Sequence, residues 1–387
     1  MLRARQTCLL LLPTVVVGAI VAITVHEQFH LFGDANGLVH FGTYFAPFTH
    51  PPKNAITGGK YGDDGQWYWV LAHDPLLLWK TTLEHLQFQR FRAQRIAYPA
   101  LSYVVAQVLS IPTATAMLLV NMGLLIGSTF AFSFYCLRRG WSPLWGLAVG
   151  LLPGLVLATL YDLTDVLASL ALMAGLIGWS RGSRRWAPLM LCVAVLAREV
   201  IVLVVAGIAL EALFHAWTER HEPGSLRKIA LDAWPGVVLP AAAFIGWHFY
   251  VEAVAVGHVG TAASTFPFDS FIRGWNRALH LRGTKQVWDI AFEVTMCTAS
   301  AVALVAAWRD HSAISLTAAL MVVGLGIADY GVILGDSRDS VPLFLLLLVV
   351  GLERRSWWRL APCVAAAALT LLLPFLVPAV FSGQALL

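Results

Sequence analysis

Apolar runs long enough to cross the roughly 30 Å hydrocarbon core of a bilayer recur about eleven times in this chain. They fall at residues 7–25, 113–136, 143–160, 164–180, 186–198, 200–217, 233–255, 287–308, 314–330, 341–352 and 360–382. A water-soluble core of this size needs polar faces returning every helical turn, and most of these runs have none. Composition agrees: of 387 residues 58% are hydrophobic and 12% charged, with a mean hydropathy of +0.72, against the roughly 25% charge of soluble domains. The expected fold class is all-α, a polytopic transmembrane helical bundle of about 11 helices forming one membrane domain over residues 1–387.

The net charge of +4 comes with no basic stripe interleaved with aromatics, which argues against nucleic acid as a partner. Five cysteines (Cys8, Cys136, Cys192, Cys297 and Cys363) sit singly in apolar segments without CxxC spacing, and read as small hydrophobes. The N-terminal MLRARQTCLLLLPTVVVGAIVAI begins with charge as a signal peptide does. Its apolar stretch is long, however, and no A-x-A-like cleavage site follows, so an uncleaved first transmembrane helix is expected.

Orientation is read from the short loops. RRG at 138–140, RGSRR at 181–185, RHEPGSLRK at 220–228 and ERRSWWR at 353–359 alternate with loops poor in basic residues. With Arg3 and Arg5, the positive-inside rule puts these loops and the N-terminus in the cytoplasm. Keeping that alternation makes 96–111, IAYPALSYVVAQVLSI, a short helix at the outer interface and not a crossing. Two long outer segments follow from this topology: 26–95, and 256–286, whose FPFDSFIRGWNRALHLRGTK suits an interfacial helix.

The remaining charges gather on the outer side. Asp63, Asp64 and Asp74 lie in the first loop, Asp162 and Asp165 in YDLTD, Arg198 and Glu199 in VLAREVIV, and Asp329, Asp336, Arg338 and Asp339 in ADYGVILGDSRDS. Charge at a bilayer centre costs at least about 2.5–3.5 kcal/mol, so placement at ends or in wet cavities is the ordinary expectation. The convergence of four outer turns is not. Arg198–Glu199 reads either as an ion pair closing a tight helical hairpin or as part of a site. Arg92 and Arg95 share a helix face, fit to hold a phosphate or to meet lipid headgroups.

In YGDDGQWYWVLAHDP, residues 61–75, the glycines permit a turn and an Asp before a helix commonly caps it. One of Asp63 and Asp64 is therefore expected to cap, leaving the other for general-base work or for a divalent cation. His73 reads as a hydrogen-bonded spacer. No HExxH, GxSxG with triad partners or Gly-rich phosphate loop occurs.

Asp64-Gly65-Gln66-Trp67-Tyr68, then Asp74-Pro75, then Arg92-Ala93-Gln94-Arg95-Ile96-Ala97-Tyr98-Pro99 resemble the first outer loop of the GT-C superfamily of integral-membrane glycosyltransferases. Bacterial relatives there read YDGQ-F/Y-Y, a DP pair and R-x-QR-x-x-YP. TDVLASLAL and LAREV are similar to later elements of that group, and Asp63 departs from it, standing where a Tyr would precede the single Asp. The resemblance implies a protein of the bacterial cytoplasmic membrane, mannosyltransferase-like, acting at its outer face. The expected partners are membrane lipid, a polyprenyl-phosphate-linked sugar donor, and a glycan, lipid or protein acceptor, with transfer inverting.

On that reading Asp64 is the first choice as base, with Asp63 beside it. Arg92, Arg95 and Arg338 are donor-phosphate ligands, and Gln66, Tyr68, Asp74, Asp165, Arg198 and Glu199 are candidates to line the pocket. A Mg or Mn ion held by Asp63 and Asp64 stays open as the one cofactor. Two other classes compete: a transporter or flippase for a lipid-linked or small polar substrate, since intramembrane ion pairs mark transport pathways, and a non-catalytic membrane scaffold. No related halves with matched broken helices favour transport.

Overall fold

The computed structural model describes residues 2–52, 55, 60, 62–79, 82, 86–183, 185–219, 225–254, 269–327 and 338–376. Among these the chain is all-helical, with no strand beyond one isolated antiparallel bridge between Phe41 and Gly62. Apart from one-turn helices, the elements are α1 (Leu2–Phe32), α2 (Gly65–Leu71), a 3-10 segment at Gln87–Gln94, α3 (Ala97–Leu109) and α4 (Thr113–Arg138). Then come α5 (Gly146–Gly150), α6 (Pro153–Leu160), α7 (Asp165–Ser180), α8 (Trp186–Ala197), α9 (Leu203–Thr218) and α10 (Ser225–Val254). The chain closes with α11 (Asp269–His280), α12 (Thr284–Asp310), α13 (Ala313–Ile327), α14 (Val341–Glu353) and α15 (Trp357–Leu376).

Five helices are long and apolar enough to cross a membrane: those within α1, α4, α10 and α12, and α9 taken together with the 3-10 turn Glu199–Val202 before it. The pair Pro143–Gly150 and Pro153–Leu160, bent by 55°, makes a sixth if taken as one span, and six further apolar helices are shorter. Each of the eleven expected segments overlaps one of these helices or the bent pair, and the segment 96–111 contains α3. Residues 255, 328–330 and 377–382 of three segments, and 256–268 of the second outer loop, lie outside the described residues. That loop's remainder opens with α11, helical as expected. The helix α1 continues past residue 26 to Phe32.

In α14 every residue from Val341 to Leu352 is buried, and α6 and most of α7 are enclosed as well. A helix apolar on all faces and covered on all faces is the centre of a bundle. The outer helices are different: the apolar windows of α1, α9 and α10 are only 22%, 22% and 17% buried. Their outward Val15, Ile23, Leu213, Ile245 and Phe249 make an apolar rim that lipid would cover. The closest pairings are α7 with α8, α9 with α13 and α12 with α15.

These helices define two ends. Asp165 opens α7, Arg198 follows α8, Glu199 precedes α9 and Asp339 precedes α14. At about 1.5 Å per residue, the far ends of the same helices lie about 20 Å away. There Arg138, Arg181, Arg354 and Arg359 dominate, with Asp310 taking Arg359 and, at 3.6 Å, Arg354.

Candidate functional site

Two glycines set the first loop close to the bundle. Gly62 has φ of +68°, and a Cβ there would fall 2.4 Å from Gly42 N and 2.5 Å from His40 O. At Gly65 a Cβ would meet the carbonyls of Tyr161 and Val39 at 2.6 and 2.9 Å. Backbone approach this close excludes any side chain. It seats the start of α2 directly on the turn between α6 and α7.

Asp63 and Asp64 stand at that seat. The Asp63 N–H donates to His40 O at 2.9 Å, and Asp63 Oδ1 accepts the Asp64 N–H at 2.8 Å. Asp64 occupies the N-cap position of α2, yet its side chain accepts no capping bond from the helix. The expectation that one of the pair caps is corrected here: the Asp64 carboxylate is drawn instead to three guanidinium groups. Its Oδ1 accepts from Arg92, through Nε at 3.0 Å and through Nη2. Its Oδ2 accepts from Arg338 Nη2 at 3.1 Å and lies 3.8 Å from Arg95 Nη1.

Burial opposes the charge of Asp64, but Arg92, Arg338 and Arg95 override it and hold the group well below the usual carboxylate range. Asp63 moves the other way. Burial first, and the neighbouring Asp64 charge second, push it up to about 6 against the pull of Arg338 and Arg92.

Arg92 and Arg95 come from the 3-10 segment and its C-cap, and Phe91 packs under both, 4.6 and 5.8 Å from its ring centroid. Arg95 spans the site. Its Nε donates to Glu199 Oε2 at 2.7 Å, Nη2 to Glu199 Oε1, and Nη1 to the Tyr68 hydroxyl at 2.9 Å. This is the parallel fork that guanidinium makes and ammonium cannot.

Arg198 breaks the helix between α8 and α9 with an extended backbone, φ −157° and ψ 127°. Its guanidinium is buried and pairs with Asp165 through Nη1 and with Asp339 through Nη2. Arg198 and Glu199, adjacent in sequence, thus enter two networks, joined again where Arg338 contacts Asp64 and Asp339 contacts Arg198.

Below them lies a third cluster that sequence reasoning did not assign. Tyr98 Oη is 3.0 Å from Met117 O and 3.4 Å from Asp162 Oδ1, and it accepts from Asn121 Nδ2 at 2.9 Å. Asp162 is fully buried in a left-handed turn, φ +51°, and burial pushes it well above the usual range. The one hydroxyl proton of Tyr98 is shared between the Met117 carbonyl and the Asp162 carboxyl. Tyr98 was in a quoted motif, but nothing in the sequence pairs it with Asn121.

His40 was also missed. It is buried with φ +53°, stacked on Tyr161 at 4.5 Å between centroids, and burial pushes its ring down to about 4.

Three expected residues serve the loop itself. Asp74 accepts from Leu78 N at 2.9 Å, Trp79 N at 2.8 Å and Thr82 Oγ1 at 2.8 Å, so its carboxylate builds the turn after α2. Asp74→Ala is expected to cost about 2 kcal/mol of stability, read by thermal unfolding in detergent. Gln66 Oε1 accepts from Gly42 N at 3.3 Å. His73 Nδ1 donates to Trp69 O at 2.8 Å, leaving Nε2 to accept from Thr113 at 3.2 Å, the spacer role expected of it. Asp329 and Asp336 lie outside the described residues.

The donor set does not fit a divalent cation. Both Asp64 oxygens face guanidinium groups that would repel one, and no group of three or more His, Cys, Asp or Glu among the described residues is placed to hold a metal. The arrangement suits an anion brought against Arg92, Arg95 and Arg338, with a carboxylate beside it. Compared with known proteins, the chain matches no family model, no curated protein and no solved structure.

Proposed function

We propose that this chain is an integral-membrane glycosyltransferase, moving a sugar from a polyprenyl-phosphate donor to an acceptor hydroxyl at the extracytoplasmic face, with inversion. The observation that carries the reading is the convergence of Arg92, Arg95 and Arg338 on Asp64, with Asp63 beside it, at one end of an apolar bundle. A lipid phosphate leaving group needs cations where its charge grows, and an attacking hydroxyl needs a base beside it. The acceptor oxygen bonds to the anomeric carbon and the bond from that carbon to the phosphate oxygen breaks. The phosphate keeps the electron pair, and the hydroxyl proton passes to a first-loop carboxylate. With about eleven crossings and, by the positive-inside rule, the arginine-rich far end in the cytoplasm, this reading has the site at the outer face, with apolar helix faces covering the polyprenyl tail.

Purified protein in lipid, supplied with polyprenyl-phosphate-linked sugars and an extract of acceptors, is expected to release free polyprenyl phosphate. Absence of release with every donor refutes the reading. The buried Arg198 network at a helix break favours a second one, transport. Substrate flux across vesicles without donor consumption would establish that instead.

A further inference from the structure

The two adjacent aspartates are not equivalent. The carboxylate of Asp64 is buried, with Arg92 on one oxygen and Arg338 and Arg95 on the other. A proton arriving there would have to displace a guanidinium, onto a group whose basicity three cations have removed. Asp63 is half-buried, and one oxygen is fixed by the Asp64 N–H while Oδ2 makes no hydrogen bond among the described residues. That oxygen is held by its partner's bond but not occupied, the condition a general base needs.

Resting on the transfer reading above, we propose that Asp63 takes the proton from the acceptor hydroxyl, and that Asp64 is a positioning residue that gathers the three arginines for the departing phosphate. In the balanced step the acceptor O–H bond breaks toward Asp63 Oδ2 as oxygen bonds to the anomeric carbon. The electron pair of the old glycosidic bond leaves on the phosphate beside Arg92, Arg95 and Arg338, and the proton on Asp63 is then lost to water. One acid neutralises cations in the resting site, and its neighbour does the chemistry.

The groups facing Asp63 fix the pH at which this operates. Asp64 raises its proton affinity, while Arg338 and Arg92 lower it; the Tyr161 phenol lies near, and His40 contributes its backbone carbonyl. The buried His40 ring, pushed down to about 4, is neutral across the range in which Asp63 changes charge near 6. Asp63 must be ionised to accept a proton, so transfer is lost as pH falls through about 6 and gained as it rises.

Asp63→Asn is expected to lower turnover about 100-fold or more and to flatten the acid limb of the pH profile, with donor KM at neutral pH falling to the value the native protein shows below pH 6. Asp64→Asn is expected to keep the acid limb and change donor KM. Retention of the limb in Asp63→Asn, or its loss in Asp64→Asn, overturns the assignment. A second measurement does not need turnover: binding of a polyprenyl methyl phosphodiester, whose single charge does not titrate in this range. Its affinity is expected to rise as pH falls through 6 in the native protein and to be pH-independent in Asp63→Asn. A flat native titration refutes Asp63 as the titrating acid, whereas absent turnover with a titrating diester refutes only the transfer reading.

Discussion

Replacing Arg198 with methionine is expected to destabilise the protein by about 3–5 kcal/mol, the range for breaking a buried ion pair from one side. Arg198, Asp165 and Asp339 are 3%, 3% and 5% exposed, so water cannot take over for the lost guanidinium. Two carboxylates would be left facing one another at the tops of α7 and α14, where each must take up a proton or force the helices apart. The measurement is thermal unfolding in detergent, with Asp165→Asn and Asp339→Asn added in the same chain as the control. The triple variant is expected to recover most of the loss, because removing a whole buried ionic network is often close to neutral. A single variant as stable as the native protein would show that the network is not held together by its charge.

Arg95→Met is expected to lower turnover about 100- to 1,000-fold, the scale seen when one charge-stabilising donor is removed from a site. Its effect on stability should be smaller than at Arg198. The Glu199 side chain is 33% exposed, so water can solvate it once Arg95 is gone. Arg95→Lys separates charge from geometry: an ammonium restores one positive charge but cannot hold both Glu199 oxygens and the Tyr68 hydroxyl together. Partial recovery of turnover is expected, and complete recovery would mean that Arg95 acts as a point charge. Released polyprenyl phosphate is the readout, with monodisperse elution in detergent as the check on folding.

The apolar segments were legible because a bilayer admits few polar residues over a long stretch, so helix positions show in hydropathy alone. The break at Arg198 was legible for the same reason, as charge inside an otherwise unbroken apolar run. The meeting of Asp64 with Arg92 and Arg95 was legible only as a motif. The partners of Arg198 were not legible, since Asp165 and Asp339 belong to helices far apart in sequence. In a membrane bundle both the packed face and the lipid face are apolar, so the pattern that reveals contact faces in soluble helices is missing. The N-cap expectation for the aspartate pair failed for a local reason. Capping is worth about 1 kcal/mol, and three converging guanidinium groups outweigh it.

Arg338 and Asp339 are consecutive, yet one reaches the Asp64 carboxylate in the first loop and the other reaches Arg198 in the bundle's interior. Two neighbouring side chains thereby rivet a surface loop to the helices beneath it. Breathing of either part must strain the other, so the loop that bears the aspartates and the start of α14 should open as one cooperative unit, exchanging their amide hydrogens together.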